Sequence, residues 1–249
     1  MIFVDTPGLT SPRDLLGKRL VKHSEEALVD CDVCLFMVSG IHPEPKDEDR
    51  WAFRVLRGGL RNRKPAPTLY LVINKVDRVP DKRELLPVIE NYSKLGEFSE
   101  VFPISALKGD NLKTLEKAIE ACLPVGPAYF QEEDLESGED LFYISEIIRE
   151  KVLMFIHEEV PHGVAVAIDE VRPGKDGKTL YVRATIFVER ESHKAIVVGA
   201  GGQMLKKIGS KARKELSLWK KQPVFLDLWV KVKEGWQDRE EMLRLFGYA

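Results

Sequence analysis

Three short loops in this 249-residue sequence carry side chains suited to a purine nucleotide: Asp5-Thr6-Pro7-Gly8, Asn74-Lys75-Val76-Asp77 and Ser105-Ala106-Leu107. The Asp77 carboxylate can accept two parallel hydrogen bonds, which suits the ring N–H and exocyclic amine of guanine and not the edge of adenine. Asn74 can tie its neighbouring loops to the base, while the Lys75 methylenes lie along the ring face. A backbone N–H in Ser105-Ala106-Leu107 can meet the guanine carbonyl oxygen. In the first loop Asp5 can reach Mg2+ through water. Past Thr6 and Pro7, the Gly8 N–H can bond a terminal phosphate, since glycine lets the chain approach closely. A fourth loop offers different chemistry. Gly199-Ala200-Gly201-Gly202 is a G-x-x-G turn between two helical stretches, and helix ends with exposed N–H groups attract phosphates. Lys194, Lys206, Lys207, Lys211 and Arg213 flank it, with Ile196, Val197, Leu205 and Ile208 as an apolar frame beneath.

The elements that must hold these loops follow from hydrophobic periodicity. Apolar runs at 2–4, 32–39, 68–74 and 100–104 read as buried strands, and amphipathic stretches near 12–29, 47–60, 81–95 and 110–123 read as helices. Strands that are apolar throughout, alternating with helices, predict a doubly wound parallel α/β sheet covered on both faces. Each guanine-reading loop follows a strand, at the end where ligands gather in such sheets. Together, and in this order, the three loops resemble those of translation-factor-like P-loop GTPases. Such domains open with a strand, a G-x-x-x-x-G-K-[ST] loop and a helix. The sequence contains no such loop; Gly174-Lys175-Asp176-Gly177-Lys178-Thr179 lacks the required glycine five residues before Gly177. Residues 1–8 are therefore expected to be the third strand and phosphate-sensing loop of an N-terminally truncated domain. In the doubly wound order the strand at 2–5 and that at 32–39 would flank a central strand that is missing. The expected consequences are poor stability of this half and very weak nucleotide binding. Leu9 stands where some GTPases place a water-orienting glutamine, and leucine cannot orient water by hydrogen bonding.

Composition and charge narrow the class. The chain is 44% hydrophobic and 31% charged, the balance of a globular protein, and its apolar runs are far shorter than a membrane span. Three cysteines do not make a disulfide framework and fit a reducing compartment. Cys31 and Cys34 form a C-x-x-C, but residues three apart on a strand face opposite ways and no second pair completes a zinc site. His157 and His162 stand five apart around a proline, the wrong spacing for a helical metal pair. The net charge is −2, yet Arg190 to Lys233 holds eleven Lys/Arg against three acids, which suggests a polyanion partner for that segment. An acidic, proline-containing run marks a linker at 124–140. Beyond it the pattern is helix, two strands, helix-loop-helix, strand and a short closing helix. That α-β-β-α-α-β order, with the G-x-x-G loop, fits a type II KH domain, a module that clamps about four nucleotides of RNA. Its G-x-x-G carries Ala200 and Gly201 where KH loops often place a lysine, so phosphate attraction must lean on helix ends and flanking lysines. Of Trp219, Trp229 and Trp236, which could stack on bases, Trp229 lies on a strand and is expected in the core.

A GTPase domain followed by a type II KH domain is the plan of the Era-type GTPases. The sequence resembles that family from Asp5 onward in "DTPGL", "NKVD", "ISAL", "EIIREKVL", "EEVPH", "ATIFVER", "KAIVVGAGGQMLKKIG" and "LWVKVKEGW". The resemblance implies a truncated GTPase domain at 1–123, a linker at 124–140 and an RNA-binding KH domain at 141–249. It implies GTP or GDP with Mg2+ as ligands of the intact protein, held partly by Asp5, Thr6, Gly8, Asn74, Lys75, Asp77, Ser105, Ala106 and Leu107. It further implies a bacterial cytoplasmic monomer, associated peripherally with the inner membrane, that assists assembly of the small (30S) ribosomal subunit. Its KH domain would bind 16S rRNA near the 3′ end, GTP favouring the RNA-competent state and hydrolysis releasing it. The alternative is an RNA-binding protein whose GTPase half has decayed into a scaffold; the intact guanine-reading loops favour the first reading.

Overall fold

A computed structural model describes residues 1–61, 63–126, 140–156 and 163–248, which fall into two compact units, Met1–Pro127 and Ala128–Ala249. The first unit runs α1 (Leu15–Ala27), β1 (Val33–Ser39), α2 (Asp47–Leu60), β2 (Thr68–Asn74), α3 (Leu85–Ser93), β3 (Glu100–Pro103) and α4 (Leu112–Cys122). Its sheet is parallel, ordered β1-β2-β3, with Val33 opposite Thr68 and Tyr70 opposite Glu100. The central strand explains the unbroken apolar run. Leu71 and Ile73 join Phe36, Phe53, Leu56, Val88 and Tyr92 in one core layer, while Tyr70 and Val72 join Phe102, Leu115 and Ile119 in another. A strand buried on both faces has no reason to alternate. Two of the helices, α1 and α2, start with a side-chain hydrogen bond. Asp14 accepts from the Gly17 N–H at 2.6 Å, and Asp49 accepts both the Lys46 N–H and the Tyr92 hydroxyl.

The run at 2–4 does not form the expected strand. Residues 1–13 are neither helix nor strand, and Ile2, Phe3 and Val4 are 50, 66 and 69% exposed. The reason is a missing neighbour: β1 pairs only with β2 among the described residues. An apolar run becomes a buried strand only when another strand takes its backbone hydrogen bonds. The segment is nonetheless attached farther on, where the Ser24 hydroxyl donates to the Pro7 carbonyl and Leu9 packs against the core.

The second unit runs α5 (Asp140–Phe155), β4 (Ala165–Pro173), β5 (Leu180–Val188), α6 (Glu191–Val198), α7 (Gln203–Trp219), β6 (Val224–Val232) and α8 (Glu240–Leu245). Here β4 is antiparallel and β6 parallel to the central β5. One sheet face, with Val182, Ala184, Ile186 and Val188, packs on Ile144, Ile148 and Val152 of α5 and Ile208, Ala212 and Leu216 of α7. The buried Lys151 ammonium joins α5 to α7 by contacting Glu150 at 2.9 Å and Glu215 at 2.6 Å. The opposite face carries Tyr181, Arg183, Phe225, Asp227 and Trp229. Trp229 is 55% exposed, not in the core, because odd positions of β6 point away from the helices. Trp236 is the buried one; its indole N–H donates to the Gly163 carbonyl and its ring meets Phe246 edge-on, so it has no face for a base. Trp219 packs on Tyr143. Residues 127–139 of the expected linker, His157 and His162 lie outside the described residues.

Candidate nucleotide pocket and nucleic-acid interface

The two loops expected to read guanine follow the carboxyl ends of β2 and β3 and are tied together by hydrogen bonds. Asn74, the last residue of β2, accepts two backbone N–H groups on its side-chain oxygen, from Lys75 at 2.7 Å and from Ala106 at 3.0 Å. Lys75 takes the left-handed conformation, φ 66°, which turns the chain sharply out of the strand. Beyond that turn Asp77 is exposed and accepts a 2.6 Å hydrogen bond from the Ser105 hydroxyl. Ser105 is fully buried and its oxygen also accepts the Lys108 N–H. The carboxylate keeps lone pairs for two further donors, so Ser105 aims Asp77 without using it up. Ser105 and Ala106 both have their N–H groups engaged, by the Asp110 carbonyl and by Asn74. Ala106 and Leu107 are exposed, Leu107 by 81%. The sequence reading named Ser105 for its backbone and did not foresee its hydroxyl donating to Asp77. Asp5, Thr6 and Gly8 lie exposed on the extended N-terminal segment.

The second candidate site is made by backbone conformation. Between α6 and α7 the chain turns through Gly199, Gly201 and Gly202, with φ of 71°, 56° and 78°. A Cβ on Gly199 would lie 2.7 Å from the Met204 Cβ and 2.9 Å from its N, so glycine is required there on two counts. Around Gly201 and Gly202 the space is open, and only the dihedral angle demands glycine. This turn presents the N-terminus of the 17-residue α7 at its mouth. Val197 and Ile208 are buried beneath it, Leu205 is half-buried, and Ile196 is 47% exposed beside it rather than under it. The cations divide into two stripes. Lys206 and Arg213, seven residues apart, share one side of α7. There Arg213 lines an open groove of about 670 Å3 with Ser210, Lys214, Ser217 and Lys221. The Lys207 ammonium sits 4.2 Å over the Phe155 ring of α5, and Lys211 lies between Lys207 and Glu215 at four-residue spacing on the same side. Lys194 on α6 stays near Glu191, at 3.8 Å. Lys214 and Lys221 were missed by the sequence reading, since their distance from the glycines hid a shared groove.

The chain is similar to known proteins. The KH domain family matches residues 159–237. "GTPase Era" of Coxiella burnetii, from strains Dugway 5J108-111 and CbuG_Q212, is 40% identical over 250 residues, covering all of this chain and 81% of the relative. Two solved structures are 39% identical and superpose with a TM-score of 0.86 over 98% of this chain. One is a variant of Aquifex aeolicus Era bound to GDP·AlF4−, of which 81% is covered. The other is Era in complex with MgGDPNP and nucleotides 1506–1542 of 16S ribosomal RNA, of which 80% is covered.

Proposed function

Because this chain belongs to the Era family of GTPases, we propose that it is a guanine-nucleotide-gated protein that binds the 3′ end of 16S rRNA during assembly of the small ribosomal subunit, as a cytoplasmic monomer. The observation that carries this reading is the Gly199–Gly202 turn at the N-terminus of a basic helix, in a chain whose solved neighbour holds that rRNA segment. RNA backbone can approach the turn because nothing occupies the space around Gly201 and Gly202. Exposed Ile196 offers apolar contact to a base, and the Lys206 and Arg213 side of α7 supplies phosphate attraction. Selection of guanine falls to Asp77, aimed by Ser105, with Asn74 and Ala106 closing the loop. Mg2+ and the nucleotide phosphates would meet Asp5, Thr6 and Gly8. The ordered Asp77-Ser105-Asn74 network favours this reading over a decayed scaffold, in which a guanine-shaped loop has no task.

Fluorescence anisotropy with a single-stranded RNA of the 16S 3′-terminal sequence tests it. Four clamped nucleotides predict a slope of log affinity against log salt of about −3. Replacing Gly201 and Gly202 together by Asp is expected to weaken binding at least about tenfold, since two carboxylates would face phosphates. Unchanged affinity in that variant sinks the proposal.

A further inference from the structure

Past its first turn, every fully exposed residue of α2 is an arginine or a glycine: Arg50, Arg54, Arg57, Gly58 and Gly59. The apolar side of the helix is spent on the core, where Ala52, Phe53 and Leu56 are buried and Trp51 and Leu60 pack against that cluster. Arg61, also exposed, follows as the C-cap with helical backbone angles, φ −56° and ψ −33°. At 3.6 residues per turn the side chains at 50, 54, 57 and 61 fall within an arc of about 60° and span ~17 Å of helix axis. None of the four makes an ion pair among the described residues. The acids of α2 stand in its first turn, and one of them, Asp49, is engaged with the Tyr92 hydroxyl. Residues 50–64 hold six cations and no acid, in a chain whose net charge is −2. Beside the stripe, Arg54 and Arg57 line an open groove of about 410 Å3 with Gly96 and Glu97.

We propose that this stripe is an RNA-binding surface separate from the glycine turn, and that it takes the phosphate backbone of an RNA duplex. Like charges three and four residues apart repel along a helix, so such a stripe gains when an external anion neutralises it. Neighbouring arginines stand ~6 Å apart, a spacing comparable to that of successive phosphates on one strand. Each guanidinium presents paired N–H groups to phosphate oxygens. A duplex holds its phosphates outermost and in fixed rows, where a row of cations can meet them by shape. Gly58 points the same way. Nothing lies within 4 Å of a Cβ built on it, and its φ is outside the left-handed region. Neither packing nor backbone therefore calls for a residue that weakens a helix interior, and its bareness leaves room for a strand between Arg54 and Arg61. The stripe has no exposed aromatic ring to stack on a base, which excludes a single-strand platform. It also has no exposed large apolar residue to enter a bilayer, which sets it apart from a membrane-surface helix. The surface belongs to the first unit and depends on neither the guanine loops nor the Gly199–Gly202 clamp.

The experiment uses the full chain and a fluorescein-labelled blunt RNA duplex of about 16 base pairs, read by anisotropy across a salt series. In a variant carrying Arg50→Gln, Arg54→Gln, Arg57→Gln and Arg61→Gln, duplex affinity at about 50 mM salt is expected to fall at least about tenfold. The slope of log affinity against log salt should become shallower by about 3, the signature of lost phosphate contacts. Glutamine keeps the helix propensity of arginine at these exposed positions, so the fold is not at stake. Lysine at the same four positions should restore the slope and bring affinity back to within about threefold. The same tenfold loss on glutamine substitution is expected in a Gly201→Asp, Gly202→Asp background, where the clamp on single-stranded RNA is disabled, so the two readings fail separately. Vesicles of phosphatidylglycerol supply the competing anion. Duplex affinity unchanged by the four glutamines, equal losses in the glutamine and lysine variants, or a loss confined to vesicle binding would each overturn the proposal.

Discussion

The two halves of the molecule make their sites from different parts of the residue. In the nucleotide half the proposed site is a set of side-chain hydrogen bonds. Ser105 holds Asp77, Asn74 holds Ala106, and the parallel strands merely deliver these groups to one end. In the RNA half the decisive feature is backbone: three positive-φ glycines turn α6 into α7, and no side chain of the loop itself carries charge. A side-chain site tolerates altered backbone but not an altered functional group; a backbone site tolerates neither a Cβ nor its strain. The halves should therefore fail under different substitutions, and mutations sharpen or break the contrast.

The largest effect is expected at Gly199. An alanine there needs both an unfavourable φ of 71° and room 2.7 Å from Met204, which together should destabilise the RNA half by about 3 kcal/mol. RNA affinity should fall with it, while Gly201→Ala, where the space is open, should cost only about 1 kcal/mol. Urea denaturation of the two variants separates clash from strain, and equal midpoints would break the comparison. Next comes Ser105→Ala. A fully buried hydroxyl bonded to a carboxylate is removed, at a cost of about 2 kcal/mol confined to the nucleotide half. Trp51 is the only tryptophan of that half, so its fluorescence reads the loss there alone. RNA binding should not change. A third test concerns the cation stripes. Lys206→Ala and Arg213→Ala should each weaken RNA binding by about 1 kcal/mol and flatten the salt slope. Lys207→Ala and Lys211→Ala, on the α5 side of α7, should do less. Equal losses at all four would mean that RNA wraps the helix.

Much of this was legible in the sequence where local pattern and tertiary context agree. The apolar run at 68–74 is a strand buried on both faces, and the amphipathic stretch near 47–60 is the helix Asp47–Leu60. Legibility failed where a residue's fate depends on a distant neighbour. Ile2-Phe3-Val4 has strand composition but no adjoining strand among the described residues, and it lies open. Trp229 and Trp236 exchanged expected environments because one strand position and one turn decide which ring meets Phe246. Cys31 and Cys34 read as opposed on a continuous strand, but the strand begins at Val33, between them. In the nucleotide half the loops at the strand ends were legible from the strand pattern, whereas the contact of Lys207 with Phe155 in the RNA half needed the position of α5.

The smallest expected effect bears on the exposed sheet face of the RNA half, where Arg183 and Tyr181 contact Asp227, each at 3.0 Å. Burial opposes ionisation of Asp227, but hydrogen bonds from Arg183, Tyr181 and Trp229 outweigh it and hold the carboxyl below its ordinary 3.8. A carboxyl depressed on folding adds stability above its unfolded value, and that stability disappears as pH falls through the lower folded value. The window thus opens just below pH 4 and extends downward. Because Asp227 is partly solvated and Arg183 more so, the contribution stays below about 1 kcal/mol. In Asp227→Asn the stability of the RNA half at pH 7 should drop by that amount, while its fall between pH 4 and pH 2 becomes shallower. The nucleotide half supplies the control, since neither Asp227 nor its partners belong to it. Trp219, Trp229 and Trp236 report the RNA half in a Trp51→Phe background, and Trp51 alone reports the other. If the acid limb seen by the three tryptophans keeps its full slope in Asp227→Asn, the sheet face is not a source of pH dependence.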